Sequence, residues 1–250
     1  KYIQGGLVFM ENKTGYVRSL IGGRNFEHSK FNRMTQARRQ PGSSIKPTYY
    51  TLAIEKGYTP ATILNDAPIT IGNWSPANAD NKYHGPTRMR VALQWSYNAW
   101  AVRCAQDLGL GTLNEAFKRF GLNIYAQDMT ASLGAYEVVP INLISAYTAF
   151  PNQGMRVKPI FITKVEDIKG NVLERASIQK YSVCSPQVAY LMTSMLQTVA
   201  SSGTGASSRN GYFWENAGKT GTTDTNNDSW FIVFNKAYTL GICMGLDNNK

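Results

Sequence analysis

Strand-like segments open and close this chain, and helical segments fill the space between them. Near the start, Leu7-Val8-Phe9-Met10 and Tyr16-Val17-Arg18-Ser19-Leu20-Ile21 are strand-like runs, with Asn12-Lys13-Thr14-Gly15 as the turn between them. Near the end, residues 218–222, 229–234 and 238–244 carry the same signature. In the middle, the composition and spacing predict helices over about 43–56, 90–107, 113–120, 140–150 and 185–200. Gly57 ends the first of these, and Pro140 occupies the first turn of the fourth. Residues 25–42 are polar and irregular. Residues 58–88, rich in Pro, Asn, Asp and Gly, read as a long ordered loop. Residues 160–166 and 171–175 suggest a short hairpin around Lys169-Gly170-Asn171. Strands at both ends with helices between predict an α+β fold, in which an antiparallel sheet is built from both termini around an inserted helical region.

Composition narrows the partners. The chain has 250 residues, 43% of them hydrophobic and 17% charged, which suits one large domain or two small ones and argues against disorder. Lys plus Arg outnumber Asp plus Glu by 26 to 16, a net charge of +10. That excess fits a nucleic-acid surface, anionic lipid or a substrate that carries carboxylates. No helix-turn-helix, zinc-finger or RNA-binding aromatic signature accompanies it, so nucleic-acid binding is not expected. The densest basic cluster, Arg33, Arg38, Arg39 and Lys46, lies within the strongest catalytic motif and its approach. Cys104, Cys184 and Cys243 form no C-x-x-C pair, and with only two histidines, His28 and His84, a zinc site is not expected. The thiols read as buried and free. No apolar run approaches the roughly 20 residues needed to cross a bilayer, and no signal peptide opens the chain. Lys1-Tyr2-Ile3-Gln4-Gly5-Gly6 reads as the middle of something, so a membrane anchor is expected outside these residues.

Three short motifs stand in order: Ser43-Ser44-Ile45-Lys46 (S-x-x-K), Ser96-Tyr97-Asn98 (S-x-N) and Lys219-Thr220-Gly221-Thr222 (K-T-G-T). Each alone is weak, and Lys13-Thr14-Gly15 is a second K-T-G that reads as a hairpin tip. Order, spacing and the element expected under each make the set specific. A serine hydroxyl needs an adjacent base to become a nucleophile. On a helix, residues three apart share a face, so Ser43 and Lys46 meet there. Pro41-Gly42 gives a sharp entry, which puts Ser43 at a helix N-terminus where negative charge is favoured. A lysine becomes a base when burial or a second cation lowers its pKa, and Lys219 can supply that cation or hold a substrate carboxylate beside the Thr220 and Thr222 hydroxyls. The backbone N–H groups of Ser43 and Thr222 can form an oxyanion hole. Ser96 and Asn98, on a turn between helices, can both face the site, Ser96 passing protons and Asn98 binding a substrate amide. Taken singly, Ser43 also reads as a helix cap, Asn98 as a surface residue and Lys219-Thr220-Gly221 as a turn.

Residues 38–47 resemble the nucleophile segment of class A penicillin-binding proteins. The resemblance continues through Tyr58-Thr59-Pro60-Ala61-Thr62, Asp66-Ala67-Pro68, Trp74-Ser75-Pro76-Ala77-Asn78, Gly85-Pro86, residues 132–140, Ser202-Gly203-Thr204-Gly205 and residues 217–223. It covers nearly the whole chain, so residues 1–250 are expected to be one penicillin-binding transpeptidase domain. It implies a five-stranded antiparallel sheet flanked by helices, with an inserted all-helical subdomain. The activity implied is D,D-transpeptidation of peptidoglycan stem peptides, with covalent inhibition by β-lactams. It implies Ser43, Lys46, Ser96 and Lys219 as catalytic residues, Asn98, Thr220, Gly221 and Thr222 as substrate-binding residues, and no metal or organic cofactor. It further implies the outer face of a bacterial cytoplasmic membrane, reached through an anchor not in this chain, with partners in the cell-wall machinery. Family members carry a glycosyltransferase domain before this region and a closing helix after it, so this chain alone is not expected to polymerise glycan. Two rivals share the acylation step. A serine β-lactamase or carboxypeptidase needs a base to deliver water, for which Glu137 is the candidate. A penicillin-sensing or scaffold domain needs none. The aromatics Trp74, Tyr83 and Tyr97 are candidates for a substrate groove.

Overall fold

A computed structural model describes residues 2–209, 215–223 and 227–247. The chain begins with a hairpin, β1 (Gln4–Glu11) and β2 (Val17–Ile21). After an irregular stretch, a 3-10 turn at Gly42–Ile45 leads into α1 (Lys46–Glu55). Then come β3 (Ile63–Asp66), β4 (Gly85–Arg88), α2 (Met89–Trp95) and α3 (Asn98–Arg119). A 3-10 turn at Met129–Leu133 precedes α4 (Pro140–Tyr147). Four short strands follow, β5 (Met155–Val157), β6 (Lys164–Glu166), β7 (Val172–Arg175) and β8 (Lys180–Ser182). The chain then runs through α5 (Pro186–Ser202) into β9 (Ala217–Thr222), β10 (Asp228–Phe234) and β11 (Tyr238–Gly245).

The five long terminal strands form one antiparallel sheet in the order β2-β1-β11-β10-β9. The two ends of the chain therefore meet at its centre, where Leu7 pairs with Ile242. The three central strands, β1, β11 and β10, alternate. In β10, Asp228, Trp230, Ile232 and Phe234 turn inward while Phe231 and Val233 face the other side. That period of two sets the register, because a one-residue slip would put the core face in water. On the inward side lies α1, whose residues 46–54 are all buried. Such a helix has no polar face and must be wrapped by others; it packs against α3 and α5, with Tyr49, Tyr50 and Trp100 in ring contact. Pro140 and Pro186 occupy first-turn positions, where a missing N–H costs nothing, and the Ser185 hydroxyl caps α5 at Val188 N.

Three expectations need correction. The loop expected over residues 58–88 contains a two-stranded sheet, Ile63 to Asp66 against Gly85 to Arg88, so the inserted region is not all helical. The hairpin expected around Lys169-Gly170-Asn171 is present as β6–β7, and β5 pairs with β8. The helix expected over 90–107 is broken at Ser96, which takes a left-handed conformation (φ 62°). The helices expected at 90–107 and 113–120 meet instead in α3, with a kink at Gly109 (φ 77°, ψ 157°). Finally, the segment 43–56 is helical throughout, but its first turn is 3-10. That tighter winding follows from Gly42 at φ +54° and Pro47 just beyond.

Candidate active site

The nucleophile candidate stands on the 3-10 turn. Lys46 N–H bonds to the Ser43 carbonyl, and in a 3-10 turn residues three apart eclipse each other. Of the two adjacent serines, Ser44 is fully buried and its hydroxyl donates to Pro41 O at 2.6 Å, whereas Ser43 is partly exposed. The turn is held from behind by Tyr147, whose hydroxyl donates to Ser44 O at 2.6 Å, and by Trp230, whose indole donates to Gln40 O at 2.9 Å.

Lys46 is completely buried, yet its amine is not in an apolar place. Nζ donates to Ser96 O at 2.8 Å and to Asn98 Oδ1 at 2.7 Å, and lies 3.3 Å from Ser96 Oγ. Ser96 Oγ in turn accepts from Lys219 Nζ at 2.9 Å. Ser96 therefore bridges two buried lysine amines that stand 173 residues apart in sequence. Its left-handed backbone turns both its hydroxyl and its carbonyl to Lys46, which a continuous helix would not allow. For a non-glycine residue that conformation costs about 1–2 kcal/mol, so it persists only because its surroundings impose it. Asn98, two residues on, gives Oδ1 to Lys46 while its Nδ2 donates to Ala77 O at 2.8 Å.

Lys219 lies on β9, the edge strand of the sheet, and is also fully buried. Burial disfavours its charged form and lowers its pKa to about 7, so near neutrality it is poised between ammonium and amine. Its other partner is Thr220 O at 3.0 Å. Along β9 the amides alternate. Thr223 N–H donates to Asp228 O across to β10, so the Thr222 N–H faces the other way, off the free edge. That edge runs along the 3-10 turn that carries Ser43. A Cβ on Gly42 would stand 2.4 Å from Thr222 O, and one on Gly221 would stand 2.5 Å from Pro41 O, so both glycines are required for the approach. Thr222 is exposed and Thr220 partly so.

Sequence reasoning missed three features. Thr204 Oγ1 is 2.7 Å from Thr220 Oγ1, which adds a third hydroxyl beside β9; its signal was the Ser202-Gly203-Thr204-Gly205 segment, to which no role was attached. Asn78 accepts from Asn98 N and Ala99 N, and so caps α3 from 20 residues upstream. His84 stacks flat on Tyr97, with ring centroids 4.0 Å apart. Of the three aromatics offered for a groove, Trp74 lines a cavity of about 270 Å³ with Gln40, Gly134 and Thr223 beside the nucleophile turn. Tyr97 is engaged by His84, and Tyr83 is exposed. A second cavity, about 260 Å³ and lined by Phe150, Tyr190, Ala217 and Phe234, opens at the opposite end of β9 and contains none of the motif residues. Glu137 is exposed, and its charge acts on Asp228. Among the described residues no cluster of His, Cys, Asp and Glu is gathered for a metal, and no helix is long and apolar enough to cross a membrane.

Comparison with known proteins places this arrangement. A family model described as the penicillin binding protein transpeptidase domain matches residues 5–245. The chain is 36% identical over 264 aligned positions to penicillin-binding protein 1A of Neisseria lactamica, covering 99% of this chain and 33% of that protein. It is 35% identical to penicillin-binding protein 1A of Aquifex aeolicus, covering 99% of this chain and 35% of that one. The chain thus spans about a third of the length of these curated relatives. Among solved structures, penicillin-binding protein 1A from Haemophilus influenzae superposes with a TM-score of 0.94 at 30% identity, covering 99% of this chain and 44% of that one. PonA1 from Mycobacterium tuberculosis, solved in complex with penicillin V, shares the fold with a TM-score of 0.85 at 23% identity, covering 97% of this chain and 69% of that one.

Proposed function

We propose, from the premise that this chain belongs to the penicillin-binding protein transpeptidase family, that it is a serine D,D-transpeptidase domain acting on peptidoglycan stem peptides at the outer face of a bacterial cytoplasmic membrane. The observation that carries this reading is the bridge at Ser96, whose hydroxyl lies 3.3 Å from the Lys46 amine and 2.9 Å from the Lys219 amine. Two buried amines joined through one hydroxyl form a proton relay beside a reachable serine.

In the reaction we propose, Ser43 Oγ attacks the carbonyl between the two D-alanines of a stem, and Lys46 Nζ takes its proton as general base. The oxyanion that forms is held by the N–H groups of Ser43 and Thr222, aimed at the developing charge. The proton moves through Ser96 Oγ to the departing nitrogen of the last D-alanine, and the C–N bond breaks to leave an ester on Ser43. An amine from a second stem then attacks the ester, gives its proton back along the same path to Ser43 Oγ, and forms the cross-link. Lys219 in its protonated form, with the hydroxyls of Thr220 and Thr222, holds the carboxylate of the donor stem. Gly221 keeps the strand close, and Asn98 orients the side-chain amide of the substrate. A β-lactam presents its own carboxylate and acylating carbonyl to the same groups, and its leaving group stays attached.

Transfer is tested directly by supplying a D-Ala-D-Ala stem peptide with and without a D-amino acid as acceptor, and resolving the products by mass. The proposal expects aminolysis product to grow with acceptor concentration at the expense of hydrolysis. Hydrolysis that no acceptor diverts identifies a carboxypeptidase instead, steady turnover of penicillin identifies a β-lactamase, and a stable acyl-enzyme that no amine resolves identifies a sensor.

A further inference from the structure

The S-x-N turn makes no side-chain cap of its own: α3 begins at Asn98 with Tyr97 before it, and Tyr97 supplies no capping bond. The cap comes from Asn78, whose Oδ1 accepts from Asn98 N at 2.6 Å and Ala99 N at 3.2 Å. An asparagine can do this only if its amide is the right way round. Here Nδ2 is fixed by two acceptors, Asp66 Oδ2 at 2.8 Å and Lys82 O at 2.8 Å. Asp66 is fully buried and Asn78 nearly so. The same Asp66 oxygen accepts from His84 N at 3.0 Å and meets His84 Nδ1 at 2.9 Å. His84 lies flat against the Tyr97 ring, with an angle of 8° between the planes. One carboxylate thus fixes both the cap at the end of the turn and the ring that covers its middle residue.

We propose that Asp66 and Asn78 are positioning residues for the Ser96-Tyr97-Asn98 turn, setting where Ser96 and Asn98 meet Lys46. The inference rests on the transpeptidase reading above, because the turn matters only if that relay works. Neither residue touches the relay. Asn78 acts on Asn98 through the backbone, and Asn98 Oδ1 reaches the Lys46 amine at 2.7 Å. Asp66 acts one step further out. The side-chain bonds of Asp66 all fall on Oδ2, and its Oδ1 is buried without a hydrogen-bond partner; a buried carboxylate so held is costly, and it stands behind a turn whose left-handed serine its own sequence does not favour.

The test compares acylation by a fluorescent penicillin in the wild type, Asp66→Ala, Asn78→Ala and Asp66→Asn. Stopped-flow kinetics separate the dissociation constant of the first complex from the acylation rate constant, and thermal melting reports folding. Each alanine removes one link: Asp66→Ala takes away the oxygen that receives Asn78 Nδ2, and Asn78→Ala takes away the cap on Asn98 N and Ala99 N. Asp66→Asn is the conservative variant, because its oxygen can take the Oδ2 place and its amide nitrogen the Oδ1 place, where no partner stands. We expect the acylation rate constant to fall about 10- to 100-fold in each alanine variant, the loss that a misplacement of about 1 Å brings, and to stay within about threefold of wild type in Asp66→Asn. A rate constant within about twofold of wild type in both folded alanine variants overturns the inference, as does an Asp66→Asn protein no better than Asp66→Ala. If one alanine variant fails to fold, the other decides. If the wild type itself is not acylated, the transpeptidase reading falls first and takes this one with it; wild-type acylation with unaffected variants removes this one alone.

Discussion

Lys219 joins a stability effect to the chemistry proposed for the site. It is a buried cation when protonated, and burial lowers its pKa from 10.5 to about 7. Between those values an unfolded chain holds a proton that the folded chain has released. Folding stability therefore rises as pH increases from about 7 to 10.5, and the penalty for burying the charge is fully present below 7. Replacing Lys219 with Met is predicted to raise the melting temperature at pH 6–7 and to flatten that rise, read by thermal melts across the range. The same substitution removes the charge proposed to hold a carboxylate, so it is also predicted to slow acylation by penicillin at least about 100-fold. Stability and activity then move in opposite directions, as expected where a site keeps a group that folding alone would exclude. A Lys219→Met protein that is less stable at pH 6.5 would contradict this account of the buried amine.

At the scale of elements, the site depends on two backbone accommodations. Gly42 at φ +54° brings the nucleophile turn against β9, leaving no room for a Cβ. Gly42→Ala is predicted to fold less stably and to lose acylation by about 100-fold or more, because Thr222 would be pushed off the nucleophile turn. Ser96 is the other. Ser96→Gly and Ser96→Ala both remove the hydroxyl that links Lys46 to Lys219, and both are predicted to lose acylation. They should differ in stability, since glycine adopts the left-handed conformation without strain. Ser96→Gly is expected to be more stable than Ser96→Ala by about 1 kcal/mol, measured by urea denaturation; equal stabilities would mean that Ser96 is not strained.

These accommodations also mark how far the sequence could be read. The terminal strands were legible because β10 and β11 alternate inward and outward over seven and eight residues. The break at Ser96 was legible only from the S-x-N motif, which asks for a turn between helices; the spacing hides it, since Val91, Trp95, Ala99 and Val102 continue a helical period across it with no Gly or Pro between. The force that breaks the helix comes from Asn78 and Lys46, in other segments. β3 was missed because Ile63-Leu64-Asn65-Asp66 offers only two apolar residues among polar and proline-rich neighbours, and its ladder is satisfied by a strand 22 residues further along. The three motifs could be found in the sequence; that Ser96 stands between two amines could not, because chain order carries no distance.

On the scale of the whole molecule, the sheet joins the two ends of the chain and the helices place the site at one edge of it. The sheet end beside the site is further tied by Arg39, half-buried between Asp228 at 3.2 Å and Leu246 O at 2.7 Å, and by the Arg33–Asp247 pair. The three cysteines pack in the core and form no disulfide. All are buried and free, and burial pushes the thiols of Cys184 and Cys243 up to about 12 and that of Cys104 higher still. A thiol held so far above neutrality does not ionise and does not react. The native protein is predicted to resist an aromatic disulfide reagent at pH 8 and to release three equivalents of thiol after denaturation; rapid titration of any of them in the native state would mean that the packing around it opens.

The central claim is that Ser43 is the nucleophile, and intact mass spectrometry after incubation with penicillin tests it most directly. The account predicts one covalent adduct per chain, mapped to the peptide carrying Ser43, and none in Ser43→Ala, which should fold as the wild type does. An adduct that survives Ser43→Ala, or a folded wild-type protein that forms none, would contradict it.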